Sequence, residues 1–437
     1  MAPNRGKPFV YCEGASSWTP DAYMSDTTLQ QRAESSLTKD DLASAIATSF
    51  NVRKTDGYVY HAMVSVTLPQ VQHVISLGDA NGLHGWYRDL TPGAAENTDS
   101  NASTTTNSKP QRPKPPPALP PPSPTDIEAY LSIFSPSTST PSALNSFLAN
   151  AKKGSLRASI ASHLQAKRFI HSSPAHAALD KIKLPKSRSP PPNPYLTYLS
   201  WAARALEWAG PCPASAVPYT SHPVLAILYH HFGCVCPSYE ALEILRLVAD
   251  GREILDLGSG NGYWTYMLRA HIAAANPPPS SKSKPKNNKP VSTVTPIDNA
   301  QSLWRTTYVS DTLPLDGESY LHSQSGCPSS VLLLVYPIVG GAHSGDAQPG
   351  DFTRRMLAAY AGDTLCVVGT QNRNGFTGFP RESMDEYMAR EYPAGEWVKV
   401  VQAPLPSFPG KDDTLFIFQR GDRAPREDGV EKKESGE

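Results

Sequence analysis

The residues best suited to chemistry lie between positions 254 and 262, where the chain reads ILDLGSGNG. A short apolar run delivers an acid, Asp256, followed by three glycines at alternate positions, Gly258, Gly260 and Gly262, with Ser259 between the first two. Without a Cβ, the backbone at such positions can turn sharply and approach a ligand closely. Residues 253–257 read as a buried strand and residues 263–273 as a helix, whose first N–H groups have no partner within the helix and would point into the turn. Strand end, glycine turn and helix start together make a seat for a polar ligand held against backbone.

The spacing separates two kinds of ligand. A dinucleotide fingerprint requires G-x-G-x-x-G, but Tyr263 stands three residues after Gly260 and the third glycine falls at 262. The pattern D-x-G-x-G-x-G resembles the first motif of class I S-adenosylmethionine-dependent methyltransferases. That resemblance implies an α/β fold with a Rossmann-like, mostly parallel sheet of seven strands ending in an antiparallel pair. It also implies S-adenosyl-L-methionine as cofactor, with Asp256 at the acidic position and Gly258, Ser259, Gly260 and Gly262 wrapping its methionine part.

In the same family a second acid ends the next strand and holds the ribose hydroxyls, about 20 residues downstream. Asp298 lies 42 residues after Asp256. Residues 276–290 between them are proline, lysine, serine and asparagine without an apolar run, and read as a disordered insert. Discounting that insert brings Asp298, after a strand over 291–297, close to the expected distance. Residues 306–309 suggest a third strand leading to Asp311, the position from which the resemblance implies a contact to the adenine amino group. Apolar runs at 331–336 and 363–369 read as strands with a helix over 353–360 between them, and 397–402 and 414–419 as the final antiparallel pair. The resemblance covers 239–420.

At the fourth strand, nitrogen methyltransferases of this family carry an acid, Asn or Ser, then Pro-Pro and an aromatic residue. Val335-Tyr336-Pro337-Ile338 keeps one proline and departs elsewhere, which weakens the case for an amine acceptor. Tyr336 and Pro337 still fall where the carboxyl ends of parallel strands face a ligand. Methyl transfer needs in-line approach and often no strong base. If a base serves, His343, in the loop after that strand, is the nearest candidate in sequence. The loop 369–378, rich in glycine and amides and carrying Arg373, has the make-up of a lid. The expected acceptor is a small molecule or a protein side chain. The alternative is a chain that keeps the fold as an inactive interaction or scaffold module, since fold alone does not guarantee chemistry.

Composition limits the remainder. With 43 prolines in 437 residues and 39% hydrophobic content, not every segment can be packed core. Lysine plus arginine total 40 and so do the acids, so net charge gives no global attraction for nucleic acid. The first residues lack an apolar signal core, no run is long enough to span a bilayer, and six cysteines do not make a disulfide framework in a chain this long. These features predict a cytoplasmic or nuclear protein without a membrane partner.

Residues 91–125, with ten prolines, read as a disordered linker between a small N-terminal segment, 1–90, and the rest. PKPPPALPPPSP within it has the form of a polyproline ligand for an SH3-like partner, though a spacer needs none. In the N-terminal segment, 39–48 suggests a helix and 59–66 and 71–77 two strands. Because loop length costs little, removing 1–125 or shortening 276–290 is expected to leave cofactor affinity within about threefold.

Helices over 126–133, 142–149, 156–169 and 194–208 make 126–238 a helical region, which in the resembling family forms a cap on the substrate side. Lys152, Lys153, Arg157, Lys167 and Arg168 read as a solvated helix face. Cys212, His222, His230, His231, Cys234 and Cys236 crowd together, but they lack paired C-x₂-C knuckles and sit in helix-like apolar spacing, so no metal is expected. The tail, 421–437, reads as disordered.

Overall fold

Alternate residues of the central strands face two different cores, which is why these strands read as unbroken apolar runs. The computed structural model describes residues 18–60, 64–78, 85–87, 120–216, 222–277, 290–337, 350–373, 379 and 382–425. A hairpin pairs β1 (Gly57–Tyr60) with β2 (Val64–Thr67). The main sheet contains β3 (Phe169–Ile170), β4 (Ile254–Leu257), β5 (Val294–Ile297), β6 (Val331–Val335), β7 (Thr364–Thr370), β8 (Val398–Pro404) and β9 (Asp413–Gln419), in the order β3-β8-β9-β7-β6-β4-β5. Ile254, Leu333 and Ile417 turn towards the helices that precede β4, whereas Leu255, Leu334 and Phe416 turn towards the helices Gly317–Ser323, Asp351–Ala359 and Met384–Glu391.

The α/β architecture and the closing antiparallel pair follow the sequence expectation, with two corrections. The sheet is evenly mixed rather than mostly parallel: β4–β5, β4–β6 and β6–β7 are parallel, while β3–β8, β8–β9 and β7–β9 are antiparallel. The seventh strand is Phe169–Ile170, read from sequence as the end of a helix. That helix stops at Lys167, and Ile170 pairs with Val401 at the far edge. No strand forms over 306–309. Beside β5 there is only one parallel bridge, between Ile297 and Leu313.

The N-terminal segment adds helices Pro20–Ser25, Thr27–Leu37, Leu42–Phe50 and Leu68–Ser76 to the hairpin. The expected strand over 71–77 is therefore helical. Pro69 lies in its first turn, Thr67 and Gln70 form a reciprocal capping box, and Val71, Val74 and Ile75 stand at helical spacing, which together outweigh the strand preference of β-branched residues. This segment shares the larger core: Ser49 Oγ lies 2.9 Å from Tyr198 Oη, and the Trp86 indole N–H donates to the Leu206 carbonyl at 2.8 Å.

Most of the proline-rich linker, residues 278–289 of the insert and 426–437 of the tail lie outside the described residues. The linker's last residues already belong to the helix Pro124–Ser132, and the expected disordered tail begins instead as a 3-10 turn, Gly421–Arg423. Among the described residues no helix is long and apolar enough to cross a membrane.

Candidate functional site

From β4 the chain passes to β5 on one side and returns to form β6 on the other. At such a reversal the carboxyl ends of neighbouring strands diverge and leave a crevice. Here it holds about 900 Å³, open mouth included, between the turn 258–261, Asp298 after β5, and Tyr336 and Pro337 after β6.

The three glycines of the turn do different work. All have positive φ, +75° at Gly258, +58° at Gly260 and +76° at Gly262. Gly258 and Gly260 line the crevice; a Cβ at Gly258 would come only within 3.5 Å of Phe352, and at Gly260 within 3.1 Å of Trp304. Gly262, expected to wrap the ligand, does not line it. It is the N-cap of the helix Tyr263–Ala275, and a Cβ there would meet Val309 at 2.4 Å.

Three buried polar atoms on the crevice walls have no hydrogen-bond partner: Ser259 Oγ, Asn261 Nδ2 and Trp304 Nε1. The Asn261 amide oxygen is already engaged by the Tyr263 N–H at 3.2 Å, so its NH₂ group remains to donate. Because buried polar groups are nearly always satisfied, three orphans in one crevice match a polar ligand's acceptors. Sequence reasoning passed over Asn261, although it stands inside the glycine motif, and over Trp304, an isolated aromatic with no local signal.

The acids divide similarly. Asp298 stands in the crevice and accepts from the Gly260 N–H at 2.8 Å and the Ala300 N–H at 2.8 Å, leaving lone pairs for further donors. Asp256 lies beneath the turn, fully buried, and accepts from the Thr265 hydroxyl at 2.6 Å. Burial pushes its carboxyl up to about 7, opposed by that hydroxyl. Asp311 is not brought to the site: its carboxylate is held by both Arg269 nitrogens at 2.9 and 2.8 Å, which lowers its pKa, and its side chain is 59% exposed. Asp316 takes the crevice position instead, capping the helix Gly317–Ser323 by accepting from the Ser319 N–H. The chain reaches it because 306–309 leaves the sheet rather than forming a strand that would end at Asp311.

On the other wall Tyr336 has φ +54°, a conformation that a bulky side chain rarely adopts and that favours functional positions. Its amide donates to the Val368 carbonyl at 2.7 Å, and the Tyr229 hydroxyl donates to its hydroxyl at 3.4 Å. Pro337 lies beside it. The helical region contributes Phe232, Gly233 and Cys234. Burial pushes the Cys234 thiol up to about 12, so it presents a neutral S–H at ordinary pH.

His343 and residues 374–378 of the expected lid lie outside the described residues. Arg373 turns outward to Glu386. In the basic stretch, Arg157 pairs with Asp126 and Arg168 with Asp180 and Glu240, so these two charges are used internally. Among the described residues no three His, Cys, Asp or Glu side chains gather as a metal would require. His231 of the Cys/His stretch is buried between Tyr58 and Thr306.

No family model and no curated protein matches the chain. A solved chain described as a candidate rRNA-methylase from Clostridium thermocellum aligns with 42% of this chain and 96% of its own length, at 12% identity and a TM-score of 0.26. A likeness of that size bears on neither fold nor activity.

Proposed function

We propose that the chain is an S-adenosylmethionine-dependent methyltransferase acting on a small molecule or a protein side chain. The observation that carries this reading is the convergence of Ser259 Oγ, Asn261 Nδ2 and Trp304 Nε1, all without protein partners, on the crevice of the D-x-G-x-G-x-G turn.

The residues present fit the cofactor. Gly258 and Gly260 give its amino-acid part access to backbone, the Asp298 carboxylate suits ribose hydroxyls, and Asp316 with Trp304 suits the base. When bound, S-adenosylmethionine supplies an electrophilic methyl group. The chain's own contribution is positional. Tyr336 and Pro337 border the acceptor's approach, the apolar walls from Phe232 and Phe352 exclude water, and the rigid turn fixes direction.

Binding is tested by thermal unfolding of the full chain with S-adenosylhomocysteine. A ligand that binds only the folded state raises the melting temperature with concentration. The rise should be present in the parent and absent in Gly260→Val, whose branched side chain would fill the approach to the turn. A folded parent that shows no rise removes the reading.

A further inference from the structure

The segment 304–309, whose residues 306–309 were expected as a strand, is held between the glycine turn and the N-terminal segment. On its inner side Trp304 covers Gly260, the Tyr308 N–H donates to the Asn261 carbonyl at 2.8 Å, and Val309 packs on Gly262. Its outer side is covered by residues from the other end of the chain. Arg305 pairs with Asp56 at 3.0 Å, donates to the Gly57 carbonyl and stacks over the Tyr58 ring at 4.5 Å. The Thr306 hydroxyl lies 2.7 Å from His231 Nδ1, whose other nitrogen is 2.9 Å from the Tyr58 hydroxyl. Trp18 meets Tyr308 edge-on at 5.4 Å.

The ion pair is placed to transmit position. Arg305 and Asp56 side chains are 1% and 3% exposed, so the pair is barely screened by solvent, and the guanidinium fork fixes direction as well as distance. Trp304 is the residue next in chain to Arg305. The segment bearing it pairs with no strand, and besides Gly260 its ring meets His230 edge-on at 6.2 Å.

We propose that the N-terminal segment is an integral part of the crevice: Asp56, acting through Arg305, is a positioning residue that holds Trp304 over Gly260 with its indole N–H directed at the bound ligand. The proposal rests on the cofactor reading above and assigns residues 18–76 a role in ligand affinity. It replaces the expectation that residues 1–125 can be removed without loss.

The test is a double-mutant cycle on the full chain, read as S-adenosylhomocysteine affinity by calorimetry. Asp56→Asn should weaken binding about tenfold, the size of losing one charged hydrogen-bond partner's alignment. In a Trp304→Ala background the same substitution should cost less than about threefold, because its route to the ligand is gone. Ser49→Ala removes a buried contact of the same segment that does not touch 304–309, and should lower stability but leave affinity unchanged. Arg305→Lys, which keeps the charge but loses the fork, supplies a milder arm should Asp56→Asn fold poorly, and is expected to weaken binding in the same Trp304-dependent way. Equal affinity of parent, Asp56→Asn and Arg305→Lys overturns the proposal, as does a loss of the same size with and without Trp304. A parent that binds no sulfur nucleoside removes the cofactor reading itself, whereas a binding parent with indifferent variants removes only the positioning role.

Discussion

The Gly260 amide donates to Asp298 Oδ2 at 2.8 Å, joining the glycine turn after β4 to the acid after β5 across 38 residues of chain. Two features that sequence placed in one site by analogy are thus bonded to each other, and the acid also shapes the turn.

Asp298→Ala should accordingly have two effects. Removing a charged acceptor from two backbone N–H groups and from the place proposed for the ribose should cost about 1 to 3 kcal/mol in S-adenosylhomocysteine binding. It should also speed amide exchange at Gly260, read by hydrogen-exchange mass spectrometry or NMR. Unchanged exchange would separate the acid from the turn.

Gly258 and Gly262 should respond differently to alanine. Both have positive φ, so each substitution carries strain of about 1 kcal/mol or more. At Gly262 the added methyl also meets Val309 at 2.4 Å, whereas at Gly258 its nearest neighbour is Phe352 at 3.5 Å. Gly262→Ala should therefore lower chemical-denaturation stability by the larger amount. Gly258→Ala should show the larger loss of affinity relative to its loss of stability. The reverse ranking would contradict the division of the turn into a ligand-facing and a structural glycine.

Asp256 sets a pH dependence. Burial raises its carboxyl from 3.8 to about 7, so between those values the folded chain keeps a proton that the unfolded chain has released. Stability from this group is present below the lower value and is lost as pH rises through the window. Asp256→Asn cannot titrate, and its fall in unfolding free energy between pH 4.5 and 8 should be smaller than the parent's by about 1 to 4 kcal/mol. Parallel profiles in urea unfolding would mean that Asp256 is ionised in the folded chain.

Deletions should distinguish two segments that both looked dispensable. Shortening 278–289 alters only the length of the connection between the helix Tyr263–Ala275 and β5, so affinity should stay within about threefold. Deleting 1–76 strips the cover from Arg305 and Thr306 and should abolish measurable binding or folding. Full affinity in the second deletion would contradict the shared core.

What was legible in sequence depended on locality. The turn, β4, β6, β7 and the closing pair are contiguous apolar runs with local punctuation, and Asp298 was reachable because the sequence of the insert before it has no competing apolar run. Asp311 and Asp316 could not be ranked locally. The choice between them depends on 304–309 leaving the sheet, where it is contacted by Asp56, Tyr58 and Trp18, far away in sequence. The same distance hid Trp304. Residues 71–77 were misread because their β-branched residues favour strand, although Val71, Val74 and Ile75 stand at helical spacing and Thr67, Pro69 and Gln70 mark a helix start. Sequence also gave no reason to suspect the short edge strand Phe169–Ile170, which exists only because β8 offers an unpaired side.

Under the proposed function this crevice takes a sulfur nucleoside and not a dinucleotide. Isothermal titration of the full folded chain with S-adenosylhomocysteine, and separately with NAD, tests it most directly. Saturable heat is expected with S-adenosylhomocysteine, lost in Gly260→Val, and none with NAD. Saturable heat with NAD, or none with either S-adenosylhomocysteine or S-adenosylmethionine, would contradict it.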